Sequence, residues 1–178
     1  ARRIGWIGFW VMTVGTIMAA TMVLLKEASV LYTFYAPLKA HWIFYLGMTF
    51  VVIGSWLDGA AQIMTYARWR RENPGKPSPL LSFMAIINTV MWIVATIGVA
   101  ATVLFQLLPW SLGLVDTVDV LVSRTLFWYF GHPLVYFWLL PAYMCWYAII
   151  PKIIGGKIFS DSLARLSFIL FLLFSIPV

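Results

Sequence analysis

The stretch FWYFGHPLVYFWLLPAYMCWY, residues 127–147, is almost wholly apolar, yet it holds His132, Pro133, Pro141 and four tyrosines. It lies inside a longer apolar segment, 121–150. A helix rises 1.5 Å per residue, so about 20 apolar residues cross a bilayer. Segments 4–25, 42–67 and 81–108 are long enough to do the same, and a shorter one runs over 163–178. The expected fold is all-α and integral to a membrane. It is a polytopic transmembrane helix bundle with four full spans and a truncated fifth, in a single membrane domain over 1–178. Long runs of this kind are unlike the ten-residue alternating strands of a transmembrane barrel.

Composition points the same way. The chain is 63% hydrophobic and only 10% charged, with a mean hydropathy of +0.94. A soluble domain averages about 25% charged residues. Too little charge is present to cover a water-facing surface. Cys145 is the only cysteine, so no internal disulfide forms. The chain opens Ala1-Arg2-Arg3, without Met and without a signal-peptide pattern. Its last apolar segment is shorter than a span. The expectation is a fragment of a larger membrane protein, with sequence missing on both sides.

Polar connectors separate the runs. RWRRENPGKPSP (68–79), PWSLGLVDTVD (109–119) and PKIIGGKIFSDS (151–162) carry the prolines and glycines of loops. Nine of the twelve Lys and Arg fall at 2, 3, 68, 70, 71, 76, 152, 157 and 165, all on one side of the spans; Lys26, Lys39 and Arg124 fall on the other. The positive-inside rule then puts the chain start, 68–79 and 151–165 at the cytoplasm. The formal charge of +6 is thus a topology signal. It predicts a lipid bilayer as partner and no nucleic acid.

On an ideal helix of 100° per residue, His132 defines one face. Tyr136, Tyr143 and Tyr147 then lie at about 40°, 20° and 60°, and Trp128 at about −40°. From His132 to Tyr147 the rise is about 22 Å, from mid-bilayer to the cytoplasmic surface. Imidazole suits copper, iron and zinc, and a histidine in a span is a functional-site hypothesis. A phenol at i+4 is its neighbour and can give up a proton and an electron. Two further phenols, with water between, can pass protons upward. The same residues have a plainer reading. Tyr147 suits a membrane interface, Tyr143 can bond a neighbouring helix, and His132 can bond a carbonyl freed by proline. One histidine holds no metal alone. His41, at the outer start of the second span, lies at a different depth and reads as interfacial, so any remaining ligands lie outside this chain.

Residues 126–143, LFWYFGHPLVYFWLLPAY, resemble the sixth helix of subunit I of the haem-copper oxygen reductases. The family motif, Gly-His-Pro-x-Val-Tyr preceded by a tryptophan, is matched by Trp128, Gly131, His132, Pro133, Val135 and Tyr136. The resemblance implies that His132 is a ligand of the Cu-B copper. It also implies that Tyr136 is the catalytic phenol, covalently joined to His132, and that Trp128 neighbours the site. Leu134 stands where the commonest, A-type members carry a glutamate, which resembles the B-type, cytochrome ba branch with its single tyrosine-containing proton path. Tyr143 and Tyr147 match that path. The similarity extends through 27–47, 73–80, 108–128 and 151–178 and covers helices III to VII of a subunit I of twelve or more helices.

What the resemblance implies is respiratory. The whole subunit reduces O2 to water at a haem-copper centre, with a high-spin and a low-spin haem, taking electrons from cytochrome c and translocating protons. Its partners are the rest of subunit I, subunit II with its copper centre, cytochrome c and O2, in the plasma membrane of a prokaryote. This piece is not active alone, since a His-His pair completing the copper site and the haem ligands fall outside it. Nitric oxide reductases of the same superfamily are the rival enzyme, disfavoured by Tyr136; a non-catalytic or transport bundle is the rival of another class. Asp58, inside the second span, is either proton-related or bonded to a neighbouring helix. Tyr32 lies near the family's oxygen access route or is an outer-interface aromatic. The eight methionines read as packing.

Overall fold

The computed structural model describes residues 1–176. Its elements are α1 (Arg2–Leu24), α2 (Trp42–Glu72), α3 (Leu80–Thr102), a π-helical turn (Val103–Leu107), α4 (Leu108–Ser111), α5 (Val120–Ile153) and α6 (Asp161–Ser175). No strand occurs among the described residues. Four stretches are long and apolar enough to cross a membrane: Arg2–Leu24, Trp42–Glu72, Leu80–Ser111 and Val120–Ile153. The expected fifth run is helical over Asp161–Ser175, and its last two residues, 177–178, lie outside the described part.

Three helices run further than their apolar runs. α2 continues through Arg68, Arg70 and Arg71, residues expected in a loop. The first proline is Pro74, and a proline steers only the residue before it out of helix, so the helix reaches Glu72 and Asn73 caps it. Arg70 and Arg71 in its last turn complement the helix dipole, and Arg68 pairs with Glu72 at 2.7 Å. α3 is prolonged across Pro109, which has no N–H to give the carbonyl four residues back. The π turn just before it, in which Leu108 N donates to Val103 O, absorbs that mismatch. α5 passes Pro133, Pro141 and Pro151 before Gly155, at φ +67°, ends it.

In lipid, helices gain little from hydrophobicity against each other, and close backbone packing does the work. Gly8 and Gly15 of α1 meet Gly54 and Gly47 of α2. A methyl group on Gly15 would sit 2.5 Å from the Gly47 carbonyl oxygen, and one on Gly8 2.7 Å from that of Gly54. Gly98 lets α3 meet α5 in the same way, 2.5 Å from the Leu126 carbonyl oxygen. α2 and α3 are tied by indoles and hydroxyls: Trp56 Nε1 donates to Thr96 Oγ1 (2.6 Å), and Trp92 Nε1 to Ser55 Oγ (2.8 Å).

Two cores result. The outer one joins Phe34, Phe44, Tyr45, Val99, Val103 and Phe127, sealed by the 25–41 segment. The inner one joins Met84, Met91, Leu140, Ala164 and Phe168, with Tyr136, Tyr143 and Tyr147 packed against it. Arg165 locks α6 in place there. It donates to the Ser78 carbonyl (2.6 Å), pairs with Asp161 (2.5 Å) and lies over the Phe83 ring (5.1 Å). Tyr66 joins the clamp by donating to Ser78 Oγ (2.8 Å).

Candidate functional site on the longest helix

Asp119 starts α5 by accepting from Val122 N at 3.0 Å, and the helix then carries the whole predicted stripe. His132 and Tyr136 are neighbours on one face, ring centroids 5.1 Å apart at 63°. Both are half-buried. The His132 ring has no hydrogen bond to protein among the described residues, so its nitrogens are free to bind something else. Trp128 is placed by Gly131: a methyl group there would lie 2.5 Å from Trp128 Cε3 and 2.9 Å from Cζ3. The indole therefore folds along its own helix over the residue preceding His132.

Tyr136, Tyr143 and Tyr147 follow toward the basic end, along the seam with α6. Tyr136 and Tyr143 stand 6.0 and 5.9 Å from Phe171, and Tyr147 is 6.5 Å from Phe168. No direct hydrogen bond joins the three hydroxyls among the described residues. A groove of about 340 Å³ opens beside this seam, lined by Tyr136, Ser167, Leu170, Phe171, Phe174 and Ser175.

The comparisons with known proteins are decisive. The family model for cytochrome c and quinol oxidase polypeptide I matches residues 1–178. The chain belongs to this family. It is 51% identical, over 173 residues, to cytochrome c oxidase subunit 1 of Thermus thermophilus, a match that covers 97% of this chain and 31% of that protein. It superposes on a chain of a cryo-EM structure of a haem-copper terminal oxidase dimer with a TM-score of 0.95 at 51% identity, over 100% of this chain and 31% of the other. The chain thus spans about a third of the length of these relatives.

The donor set fits a single contribution to a metal centre. Among the described residues no three His, Cys, Asp or Glu side chains converge. His132 offers one unoccupied imidazole, which suits copper. His41 does not join it: its Nδ1 accepts from Ile43 N at 3.3 Å and caps the start of α2, at the end of the bundle away from the basic loops. That capping role is one the sequence reading missed, although a histidine just before a long apolar run is a capping position. Tyr32 is exposed on the outer segment.

Asp58, expected to be proton-related or bonded to a neighbouring helix, bonds first to its own helix, through Gln62, and the sequence reading singled out neither Gln62 nor Thr89. Asp58 Oδ2 accepts from Gln62 Nε2 (2.8 Å), and Gln62 Oε1 accepts from Thr89 Oγ1 (2.8 Å). Their i, i+4 spacing was legible, but the α3 partner was not. Asn88 is buried on α3, with Oδ1 unpartnered among the described residues.

Proposed function

We propose that this chain is the helix III to VII portion of the catalytic subunit I of a respiratory terminal oxidase, within one larger membrane domain. The whole enzyme reduces O2 to water with electrons from cytochrome c and translocates protons across a prokaryotic plasma membrane. The observation that carries this reading is the 5.1 Å pairing of His132 and Tyr136 on one face of α5, in a chain of the cytochrome c and quinol oxidase family.

His132 would hold the Cu-B copper, with the remaining ligands supplied from outside this chain. Copper and the two haems, when bound, supply the electron storage that four-electron O2 reduction requires. The residues here do the rest. Tyr136 holds a proton and an electron on a phenol beside the metal ligand, and a covalent bond to His132 would fix that ring in place. Trp128, seated on Gly131, walls the site. Tyr143 and Tyr147 hold protons on the way from the cytoplasmic end; their separation of four residues, and of seven from Tyr143 to Tyr136, requires water between hydroxyls. Leu134 supports placement in the B-type branch, because an apolar side chain at that position cannot serve a second proton path. Subunit II with its copper centre is the partner through which cytochrome c delivers electrons.

The test is spectroscopic and kinetic, on the complete complex. A Soret band that shifts with CO, together with O2 consumption driven by reduced cytochrome c, is expected. Turnover of NO in preference to O2 would move the protein to the nitric oxide reductases, and absence of haem would end the oxidase reading.

A further inference from the structure

A groove of about 1110 Å³ opens at the basic end of the bundle, between the start of α1, the last third of α2 and the start of α3. Arg2, Arg68 and Arg71 line it, and its lining includes Gly5, Ala61 and Gln62. Gln62 is the link inward: the side chain that lines the groove also donates to Asp58 Oδ2. Asp58 Oδ1 lies toward α1, where a methyl group on Gly5 would come within 3.8 Å of it and 3.6 Å of Ala61 Cβ. That oxygen has no hydrogen-bond partner among the described residues, and it is not a sealed, buried atom.

The depth of Asp58 matters. Ser55, one turn before it, bonds Trp92 of α3, and Trp92 packs against Phe130 and Phe137 of α5, two residues before and five residues after His132. Asp58 therefore sits within about one helical turn of the His132 level. It is on the far side of α3, away from the tyrosine seam. A carboxylate in hydrocarbon costs several kcal/mol unless paired or hydrated. The Asp58 bond runs to Gln62 on its own helix, so it does not tie α2 to a neighbour directly. The charged side chains facing the groove are Arg2 from α1 and Arg68 and Arg71 from α2; α3 presents only the Thr89 hydroxyl to Gln62. None of those arginines is within ion-pair reach of Asp58 among the described residues.

We propose that Asp58 is a proton-exchanging carboxyl, reached by water from the basic end through the groove and Gln62, and separate from the tyrosine file on α5. The step is simple exchange: water in the groove gives Asp58 a proton or takes one from it, and no bond other than O–H changes. The proposal borrows only the orientation of the proposed function; the exchange itself does not depend on oxygen chemistry.

The experiment is infrared spectroscopy of the complete, resting complex, titrated over the pH range it tolerates and then transferred to D2O. Subtracting Asp58→Asn assigns the carboxyl band, and Asp58→Glu, which displaces that band, assigns it if the Asn variant fails to assemble. The expected result is a protonated-carboxyl band that responds promptly to D2O and several-fold more slowly in Gly5→Leu, which fills the inlet without removing a titratable group. No such band at any pH, or an exchange rate that Gly5→Leu leaves unchanged, overturns the proposal. Oxygen turnover of the same samples separately tests the oxidase reading.

Discussion

Gly131→Ala is the sharpest perturbation of the site, because one methyl group has nowhere to go. Built on the backbone, it lies 2.5 Å from Trp128 Cε3 and 2.9 Å from Cζ3. Carbon atoms rest at about 3.5–4.0 Å, so the indole must retreat by roughly 1 Å. Overpacking of this kind costs about 1–3 kcal/mol. A misplacement of about 1 Å near reacting groups can lower a rate by about 10²-fold. The expected outcome is a loss of O2 consumption between tenfold and a few hundredfold, with haem content retained. The assay is steady-state oxygen uptake by the purified complex, normalised to haem. Trp128→Phe removes the atoms that clash, so Gly131→Ala/Trp128→Phe should lose less than the sum of the two single variants. Parental activity in Gly131→Ala, or strict additivity in the pair, refutes the seating of Trp128 on Gly131.

Tyr143→Phe deletes one hydroxyl of the file and keeps its packing against Phe171; turnover should fall on the order of 10²-fold with copper and haem unchanged, and parental turnover would remove Tyr143 from the proton path. Gly15→Leu forces α1 off the Gly47 carbonyl and should abolish assembly, read as yield of haem-bearing complex, whereas Ile17→Leu on the exposed side of α1 should assemble normally. Arg165→Gln breaks the charged bond to the Ser78 carbonyl, worth about 1.5–3 kcal/mol, and the half-exposed pair with Asp161, worth less than about 1 kcal/mol; the thermal midpoint followed by haem absorbance should drop, and an unchanged midpoint would deny the clamp its role.

Much of this was legible in the sequence because a bilayer demands simple things. Apolar length alone marked the four spans, and 3.6-residue periodicity alone put His132 beside Tyr136, despite two prolines in the helix. The ends of helices were less legible. Arg68 to Glu72 looked like loop because charge was read as a boundary, yet only Pro74 compels one. Pro109 looked like a stop, but a π turn let the helix pass. The glycine pairs were in plain view, seven residues apart in both α1 and α2, but their pairing depends on which helices meet. The same holds for Asp58, Gln62 and Thr89: a hydrogen bond between helices has no local signature. The proposed copper site is legible only in part for a different reason, since a single imidazole on one helix does not define a metal centre by itself.

Copper bound to subunit I of the complete complex, measured per haem in His132→Ala, tests the ligand role most directly. If His132 faces the metal, that copper is lost while the haem spectrum and the helical fold survive. Copper at the parental ratio in a folded variant contradicts it.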